Sequence, residues 1–392
     1  MRAKIAIVVG TRPEIIKMAP IIRACQQKRI DFFILHSGQH YDHNMDSIFF
    51  KELELPLPKY NLHVGSQPYG KHVALMMKGM SKIFLKEQPD VVIVQGDTLT
   101  VLMGALAAKK WDIPVAHHEA GLRSHDMTMP EETNRILTDH ISEFLFCPTK
   151  DALNNIKEES LNTKYYSLTG NAIVDAVHQN IAIAEKKKDV LKRLKLQPKK
   201  FILVTAHRAE NTNDKYRLEG IYEGLRSVKR KYPEYTILFP MHPRTRLKTK
   251  EFGITIPKEI KVIEPIGFLE MLQLEKNAAL LITDSGGLQE EGSILHTPAV
   301  TVRYNTERPE TIDAGMNILA GTNPEKIEQC AIEMLNKKIE WQDVFGDGTA
   351  GEKIIEQTII NIKKRRSFKE RLKWILRLLK KNILRYTPKK SE

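Results

Sequence analysis

Three carboxylate residues stand in short polar motifs, two of which follow apolar segments while the third begins a predicted helix. Asp97 lies in the motif QGDT, Glu119 in HHEAGLR and Glu131 in PEETNR. Carboxylates that share one site repel each other, which is costly unless they transfer protons or bind a cation. Because no metal-ligand spacing accompanies them, we expect proton transfer. Structural roles stay open as alternatives: Asp97 as a helix N-cap, and Glu131 as the partner of Arg135 in an i,i+4 ion pair.

A second kind of motif is suited to binding phosphate. The segment TDSGGLQEEG, residues 283–292, follows an apolar run and places Ser285, Gly286 and Gly287 at the predicted start of a helix. Helix N-termini present backbone N–H groups and a positive dipole end to anions. We therefore expect these residues to bind a diphosphate, with Glu291 one turn further on to accept hydrogen bonds from ribose hydroxyls.

Basic side chains stand at other predicted strand ends. Arg12 and Lys17 belong to GTRPEIIK, in which the proline is well placed to begin a helix. His207 occurs in AHRAEN, His242 in HPR and Arg308 in TERPE. Taken alone, the GTRPE turn fits a plain connection with surface charges equally well, and a lone histidine is more often structural. Two His-Arg pairs at strand ends nevertheless favour phosphate recognition.

The elements that position these residues follow an alternating pattern. Short β-branched runs alternate with longer amphipathic segments, which indicates βαβ units around parallel sheets, with ligands at the carboxyl ends of the strands. The predicted strands are 4–9, 31–36, 90–95, 113–118, 143–147, 164–169, 201–205, 235–240, 260–264, 278–283 and 298–302. The predicted helices are 13–28, 69–87, 98–111, 130–142, 215–232, 267–276, 287–295, 308–314 and 324–338. We predict an α/β fold of two Rossmann-like, doubly wound domains that face a cleft, 1–172 and 173–360, and a basic amphipathic tail, 361–392.

The charge balance separates the tail from the body. Lys and Arg number 61 and Asp and Glu 48, a formal net charge of +13. Residues 361–392 contain 13 of the basic residues and 2 acidic ones, so they carry +11 and leave +2 for the body. A nucleic-acid-binding function would rest on the tail alone, and we do not predict one.

The tail combines basic residues with an apolar stripe. Its apolar residues recur at three- and four-residue steps, as on one face of a helix: Phe368, Leu372, Ile375, Leu376, Leu379 and Ile383. A basic amphipathic helix is typical of elements that contact an anionic membrane surface. The alternative is a terminal helix whose stripe packs on the body while its lysines stay solvated.

Cysteine usage and hydropathy predict a soluble, cytoplasmic protein. The 3 cysteines are far apart and show no CxxC or Cys/His spacing, which argues against a disulfide framework and against structural zinc. The first apolar run is too short for a signal peptide, and no segment approaches the roughly 18 residues of a membrane span.

Eight motifs in order give the chain a resemblance to a known family. They are GTRPEIIKMAPII, VQGDT, HHEAGLRS, PEETNR, TAHRAEN, HPR, TDSGGLQEE and TERPET. From about residue 4 to residue 360 the sequence resembles the non-hydrolysing UDP-N-acetylglucosamine 2-epimerases. The resemblance implies a fold like that of GT-B glycosyltransferases, a UDP-sugar substrate between the domains and a homodimer. The P-loop pattern is missing, and the GxGxxG string at residues 346–351 does not follow a predicted strand, so we expect no NAD, no metal and no other cofactor.

The resemblance also implies a reaction and its residues. UDP is eliminated to leave 2-acetamidoglucal and is then re-added, with a proton delivered to the opposite face of C2. Handling a proton on two faces needs more than one acid or base. The positions that match the family's catalytic residues are Asp97, Glu119, Glu131 and His207. The positions that match nucleotide-sugar contacts are Arg12, Lys17, Arg135, Ser285, Gly286, Gly287, Glu291 and Arg308, to which we add His242 from its strand-end position and Met271 at the uridine side.

Two departures from the family pattern affect binding. Met271 stands where the better-known bacterial members have Phe. Bacterial members also bind a second, activating UDP-N-acetylglucosamine through two glutamines and an arginine; here Gln39 matches the first glutamine, Asp42 replaces the second, and the arginine's place falls near Ser66. We therefore predict catalysis without this activator.

Two other enzymes fit part of the pattern. A hydrolysing epimerase would release free N-acetylmannosamine, but GTRPE and the full carboxylate set argue against it. A GT-B glycosyltransferase would need an acceptor site and has no use for three carboxylates. Sugars with a C3 acetamido group or a C6 carboxylate stay open as alternatives to the plain N-acetylhexosamine.

Overall fold

The computed structural model describes residues 3–38, 43–161, 165–187 and 189–365 and contains two compact units. The first unit holds the described residues of Met1–Lys51, Leu55–Thr169 and Ala350–Glu392. The second holds Glu52–Glu54 and the described residues of Gly170–Thr349. The apolar stripe predicted for the tail begins at Phe368 and therefore lies outside the described residues.

The first unit is built on a parallel sheet. Its strands are β1 (Lys4–Val9), β2 (Asp31–His36), β3 (Tyr60–Asn61), β4 (Val91–Gln95), β5 (Val115–His118), β6 (Phe144–Cys147) and β7 (Tyr165–Leu168). They lie in the order β3-β2-β1-β4-β5-β6-β7. The helices that connect them are α1 (Arg12–Gln27), α2 (His43–Glu52), α3 (Tyr69–Glu87), α4 (Leu99–Lys110), α5 (Pro130–Ile141) and α6 (Lys150–Glu158).

The second unit repeats this arrangement. Its helices are α7 (Ala172–Glu185), α8 (Val190–Leu194), α9 (Ala209–Thr212), α10 (Lys215–Lys231), α11 (Pro243–Glu251), α12 (Phe268–Asn277), α13 (Gly286–Ile294), α14 (Pro309–Asp313) and α15 (Pro324–Asn336). Its strands are β8 (Phe201–Thr205), β9 (Thr236–Pro240), β10 (Ile260–Ile263), β11 (Leu280–Thr283), β12 (Ala299–Thr301) and β13 (Asn317–Leu319). They form a parallel sheet in the order β10-β9-β8-β11-β12-β13.

Apolar side chains on both faces of the strands hold each unit together. In the first unit Val8 and Val94 pack with Met76 of α3 and Val101 of α4, and all four are buried. Fully burying a side chain of this size stabilises the fold by about 1.5–3 kcal/mol. Strands covered on both faces show continuous apolar runs rather than alternation, which is why β1 has the sequence KIAIVV.

The strand order places the chemical motifs at one edge of each sheet. The order reverses between β1 and β4 in the first sheet and between β8 and β11 in the second, and doubly wound folds bind ligands at such points. GTRPE follows β1, AHRAEN follows β8, and QGDT and TDSGG span the ends of β4 and β11. This topology confirms the predicted α/β class with two Rossmann-like units.

Several elements were not predicted from the sequence patterns. They are the short edge strands β3 and β13 and the helices α2, α6, α7, α8, α9 and α11. Strands of 2 and 3 residues are too short to show a period. The helix α7 is buried around most of its surface and therefore lacks the polar face by which a helix is recognised. Among the described residues, no helix combines the length and the apolar character that crossing a bilayer requires.

The last described helix, residues 350–365, belongs to the first unit. The sequence patterns predicted that the second domain continues to residue 360, whereas in the structure the described residues from Ala350 onward belong to the first unit. The physical reason is close packing on α1: a Cβ atom on Gly351 would lie 2.8 Å from Pro20 Cβ, and Lys28 Nζ donates to Glu356 Oε1 at 2.9 Å.

Candidate active site

Asp97 and Glu119 lie at the same edge of the first sheet. Asp97 follows β4 and Glu119 follows β5, and these strands pair in parallel with Gln95 opposite His118. Gln95 connects the two strand ends, because its Nε2 donates to Glu119 Oε2 at 2.5 Å. The structure therefore brings together two of the three carboxylates that the motifs singled out.

Glu119 has an uncommon backbone conformation and a basic neighbour. Its φ is 69°, a region that non-glycine residues seldom adopt and that is held by surrounding contacts where it occurs, often at functional sites. Its carboxylate is buried, and Oε1 accepts a hydrogen bond from Lys17 Nζ at 2.5 Å. Lys17, predicted to contact the nucleotide, therefore also neutralises this carboxylate.

Asp97 is anchored by α5. Arg135 Nη2 donates to Asp97 Oδ2 at 2.6 Å, and Asn134 Nδ2 donates to the Asp97 carbonyl oxygen at 2.9 Å. The N-cap of α4 is Thr98, whose hydroxyl accepts from Val101 N at 3.4 Å. The alternative role of Asp97 as the helix cap is therefore wrong.

Two consecutive glutamates of α5 have different surroundings. Glu132 is buried, and its carboxylate accepts from the N–H groups of residues 124 and 125 and from Arg135. Burial opposes ionisation of Glu132, but these donors and the Arg135 charge outweigh it, so the pKa of Glu132 lies below its usual value. Glu131 is exposed, and Arg135 pairs with Asp97 and Glu132 instead. The alternative of an i,i+4 ion pair between Glu131 and Arg135 is wrong.

A buried network lies beside these carboxylates. His117 contacts Asp139 Oδ1 through Nδ1 at 2.6 Å and the Gly96 carbonyl oxygen through Nε2 at 2.8 Å. Asp139 Oδ2 accepts from Gly121 N at 3.0 Å and from Arg123 Nη1 at 2.7 Å. No role was predicted for Asp139, because it lies within a helix pattern. His117 and Arg123 belong to the HHEAGLR motif, in which Glu119 is the residue with a predicted role.

The turn before α1 joins two strand ends. Glu14 is buried; its Oε2 accepts from Gly10 N at 2.5 Å and its Oε1 from Thr98 Oγ1 at 2.6 Å. Burial raises the pKa of Glu14 to about 7, although these donors oppose the shift. A Cβ atom on Gly10 would lie 2.2 Å from Thr100 Oγ1, so only glycine fits there. Arg12 begins the helix and is exposed, and the turn is more than a plain connection.

In the second unit, the N-terminus of α13 is a candidate site for binding an anion through its backbone N–H groups. Ser285 is the N-cap, and its hydroxyl accepts from Leu288 N at 3.5 Å. A Cβ atom on Gly286 would lie 3.8 Å from Glu307 Oε2 and one on Gly287 would lie 3.7 Å from Ser285 Oγ, which are ordinary contacts. Packing therefore does not demand glycine here, and helix N-termini of this kind are suited to binding an anion.

Asp284 fixes the loop that carries His207. Asp284 is fully buried and accepts from His207 N at 3.0 and 2.9 Å, from Arg208 N at 2.9 Å and from Asn211 Nδ2 at 3.2 Å. The His207 ring is 40% exposed, with Nε2 4.0 Å from Asp284 Oδ1. Burial lowers the pKa of His207 even though Asp284 opposes the shift. Asp284 belongs to the TDSGG motif, but no role was predicted for it.

Arg308 is ion-paired within the second unit. Its Nε donates to Glu290 Oε1 at 2.6 Å, and Glu290 is buried. A neighbouring arginine that the sequence analysis missed, Arg303, is itself buried and donates to Glu210 Oε1 at 2.7 Å and to Glu307 Oε2 at 2.9 Å. Burial of Glu307 opposes ionisation, but the hydrogen bond and charge of Arg303 lower its pKa to about 2.

Glu291, predicted to accept from ribose hydroxyls, lies beside a second buried carboxyl group. Glu275 on α12 is fully buried, and burial together with the charge of Glu291 raises the pKa of Glu275 well above its usual value. Burial therefore favours the neutral form of Glu275 beside Glu291.

The remaining predicted contacts in the second unit differ in burial. Met271 is partly buried and packs against an apolar cluster that includes Leu274 and Ala278. His242 is exposed and forms the N-cap of α11, where its Nδ1 accepts from Arg244 N at 3.1 Å. The centroid of its ring lies 5.7 Å from that of His207.

Two further predictions concern an activator site and a metal site. Gln39 and Asp42 lie outside the described residues, and Ser66 is exposed. In the part of the chain that is described, no group of three or more His, Cys, Asp or Glu side chains is placed to hold a metal ion. Both points stay predictions.

The fold and the polar residues at the strand ends of each unit indicate a class of protein. One doubly wound unit presents carboxylates paired with basic side chains at its strand ends, and the other presents a glycine-flanked helix N-terminus with histidine and arginine. Such units are typical of enzymes that act on nucleotide-linked substrates. The chain belongs to the UDP-N-acetylglucosamine 2-epimerase family, whose sequence model matches residues 23–359.

Individual relatives extend this likeness over nearly the whole chain. A UDP-N-acetylglucosamine 2-epimerase of Methanococcus maripaludis is 53% identical over 367 residues, which cover 92% of this chain and 99% of the relative. The crystal structure of Methanocaldococcus jannaschii UDP-GlcNAc 2-epimerase in complex with UDP-GlcNAc and UDP is 51% identical, has a TM-score of 0.81, and covers 91% of this chain and 99% of that one. A UDP-2,3-diacetamido-2,3-dideoxy-D-glucuronate 2-epimerase of Pseudomonas aeruginosa is 39% identical, covering 90% of this chain and 98% of the relative.

Proposed function

We propose that the protein interconverts UDP-N-acetylglucosamine and UDP-N-acetylmannosamine without hydrolysis. The observation that carries this proposal is the pair of carboxylates at adjacent strand ends, Asp97 and Glu119, which are held by Arg135 and Lys17. The substrate named for the archaeal relatives supports the same nucleotide sugar.

The chemistry requires a proton to leave C2 on one face and to return on the other. As a carboxylate removes the C2 proton, the C–H electron pair forms the C1–C2 double bond and the C1–O pair departs with UDP. Addition of the UDP oxygen back to C1 and of a proton to the opposite face of C2 completes the epimerisation. We assign these transfers to Asp97, Glu119 and Glu131, because one group cannot serve both faces.

The second unit supplies the groups suited to UDP. We assign the diphosphate to the N-terminus of α13 with Ser285, Gly286 and Gly287, and the ribose to Glu291. His207, whose neutral ring is favoured by burial, assists the departing diphosphate. His242, Met271 and Arg308 of the second unit complete the proposed nucleotide-sugar contacts, and Arg12 of the first unit is proposed as a further one.

The decisive experiment is NMR of the purified protein with UDP-N-acetylglucosamine in heavy water. The epimer formed should carry deuterium at C2, because the abstracted proton exchanges with solvent before its return. An epimer that keeps its original C2 hydrogen would contradict the elimination mechanism. A sample with the Asp97→Asn variant serves as control for exchange that is not catalysed by the site.

The same incubation separates the rival enzymes. A hydrolysing epimerase would release free N-acetylmannosamine and UDP, whereas a glycosyltransferase would leave the UDP-sugar unchanged until an acceptor is added. Running the reaction with the diacetamido-glucuronate analogue in parallel tests the substrate named for the Pseudomonas relative. We expect the plain N-acetylhexosamine to be preferred, since the relatives named for it have the higher identity.

We further propose that the protein is a cytoplasmic homodimer. Its nucleotide-sugar substrate and its three cysteines without disulfide spacing fit a reducing, aqueous compartment. Light scattering coupled to size-exclusion chromatography should give twice the monomer mass of 45.0 kDa. A monomer mass at micromolar concentration would contradict the dimer.

For the tail we propose contact with anionic membranes. Each basic residue near such a surface contributes about 1 kcal/mol, so the full chain should sediment with anionic liposomes and dissociate in high salt. The matched control is a truncation after residue 365, since cutting at 360 would remove the buried Asn361 and Ile362. Equal, negligible binding by both proteins would leave the tail without this role.

A further inference from the structure

We infer that His117 is a buried imidazolium, paired with Asp139, that positions Asp97 and Glu119 for proton transfer. The catalytic roles of Asp97 and Glu119 rest on the proposed function. The charge of His117 is argued from its hydrogen bonds and does not rest on that function. His117 itself is too deeply buried to contact substrate, so it acts through the Gly96 backbone to which it is hydrogen-bonded.

Both ring nitrogens of His117 face hydrogen-bond acceptors. Nε2 lies 2.8 Å from the Gly96 carbonyl oxygen, which can only accept. Nδ1 lies 2.6 Å from Asp139 Oδ1, and the other oxygen of Asp139 is already engaged by Gly121 N and Arg123 Nη1. Arg123, which is always charged, donates to Asp139 Oδ2 at 2.7 Å, so the carboxylate is ionised and accepts. Two acceptors require a ring that donates from both nitrogens.

The charges of the network support the same state. Arg123 donates to Asp139 and, through Nε and Nη2, to both oxygens of Glu159 at 2.6 and 2.7 Å. Glu159 is 30% exposed and shares the guanidinium of Arg123, so this cation compensates the fully buried Asp139 only in part, and a charged His117 completes the compensation. Since buried charges persist only when they are paired and hydrogen-bonded, the neutral ring would leave Asp139 undercompensated.

The imidazolium donates a hydrogen bond to the segment Gln95–Asp97. Each residue of this segment is hydrogen-bonded to a neighbouring side chain. Gln95 donates to Glu119, and Asp97 is held by Arg135. Between them Gly96 has a φ of 83° and receives the charged hydrogen bond from His117. A charge-assisted bond is about twice as strong as a neutral one. His117 therefore sets the spacing between the two proposed catalytic carboxylates.

The adjacent histidine provides a matched contrast. His118 is equally buried on the same strand, but neither of its ring nitrogens has a hydrogen-bond partner. Burial lowers the pKa of His118 to about 4, so this ring is neutral. The two neighbours thus share strand, burial and side-chain type and differ in their hydrogen bonds.

The charge is tested directly on the wild-type protein without substrate. With ring-labelled [¹⁵N]histidine at pH 7.5, we expect one residue with two protonated ring nitrogens and two solvent-protected N–H signals. The signal should vanish in His117→Gln and persist in His118→Leu. A neutral tautomer at His117, with one bare ring nitrogen, would overturn the inference whatever the enzyme's substrate proves to be.

The positioning role is tested by kinetics on the same pair. His117→Leu should lower kcat about 10- to 100-fold, the scale expected when reacting groups are misplaced by an ångström or less. KM and the Kd for UDP should stay within about threefold, because the substrate-binding groups are untouched. His118→Leu should keep wild-type kcat. If His117→Leu does not fold, His117→Gln, which retains one donor, takes its place. Wild-type kcat in a folded His117 variant would overturn the positioning role, whereas a wild-type protein inactive on UDP-sugar would instead refute the proposed function.

Discussion

Lys17 and Glu119 form a largely buried ion pair within the first unit. Lys17 Nζ lies 2.5 Å from Glu119 Oε1, and the two side chains are 13% and 6% exposed. The pair joins α1 to the end of β5, so the negative charge of a proposed catalytic carboxylate depends on a lysine from a distant part of the sequence. Breaking a buried pair leaves an uncompensated charge, which is costly.

The first prediction concerns this pair. Lys17→Met should lower kcat at least about 10²-fold, because the buried carboxylate of Glu119 loses the cation with which it is paired. Lys28→Met is the matched control: Lys28 follows the same helix and pairs with Glu356, far from the carboxylates. Steady-state kinetics with UDP-N-acetylglucosamine measure both. Unchanged turnover in a folded Lys17→Met protein would show that Glu119 does not act as a base.

The second prediction distinguishes consecutive glutamates. Glu131→Gln should lower kcat while the melting temperature stays the same, because the exposed Glu131 side chain is proposed to act on substrate. Glu132→Gln should instead reduce the free energy of unfolding by about 1.5–3 kcal/mol, since its carboxylate binds two backbone donors and Arg135. Kinetics and thermal unfolding of both variants provide the comparison. Loss of stability in Glu131→Gln would contradict the assignment.

A third prediction concerns nucleotide affinity. Arg308→Ala should weaken UDP binding by about 1.5–3 kcal/mol if the guanidinium makes a charged hydrogen bond to UDP. The same change leaves the buried Glu290 without this partner, so the melting temperature should fall as well. Calorimetric titration with UDP measures the first effect, and Arg226→Ala, at an exposed pair with Glu223, is the control. Wild-type UDP affinity in Arg308→Ala would restrict Arg308 to a structural role.

The fourth prediction follows from Glu14. Its folded pKa of about 7 lies above the ordinary 4.5, so the folded state holds a proton that the unfolded chain releases. The stabilising contribution is therefore complete below about pH 4.5 and is lost as the pH rises through about 7, by up to about 3 kcal/mol. Glu14→Gln, whose amide can accept from Gly10 N and donate to Thr98, should remove this loss. Denaturant unfolding at pH 5 and pH 8 measures the difference between the proteins. Parallel pH profiles would contradict it.

The fifth prediction concerns activation. Given Asp42 and the missing arginine near Ser66, pure UDP-N-acetylmannosamine should be epimerised without added UDP-N-acetylglucosamine. A coupled assay that follows product from the first seconds detects the difference. An absolute lag until UDP-N-acetylglucosamine is supplied would show that a regulatory site exists in another form.

Much of the fold was predictable because its signals are local. The KIAIVV and VVIVQ runs mark buried parallel strands, and GTRPE and TDSGG mark helix starts at their ends. Backbone hydrogen bonding and the burial period act over a few residues, so the sequence by itself determined the alternating α/β order and the chemical types at the strand ends. It did not reveal β13 or α7, whose length and all-round burial hide the period.

Only the tertiary structure decided which of these residues are partners. It pairs Lys17 with Glu119 across 102 positions, lets Arg135 bind Asp97 and Glu132 rather than Glu131, and recruits Asp139 to His117. It also returns residues 350–365 to the first unit. The reason is physical: such contacts depend on which strands become neighbours in the sheet and on how buried charges find compensation, and neither is encoded within a short stretch of chain.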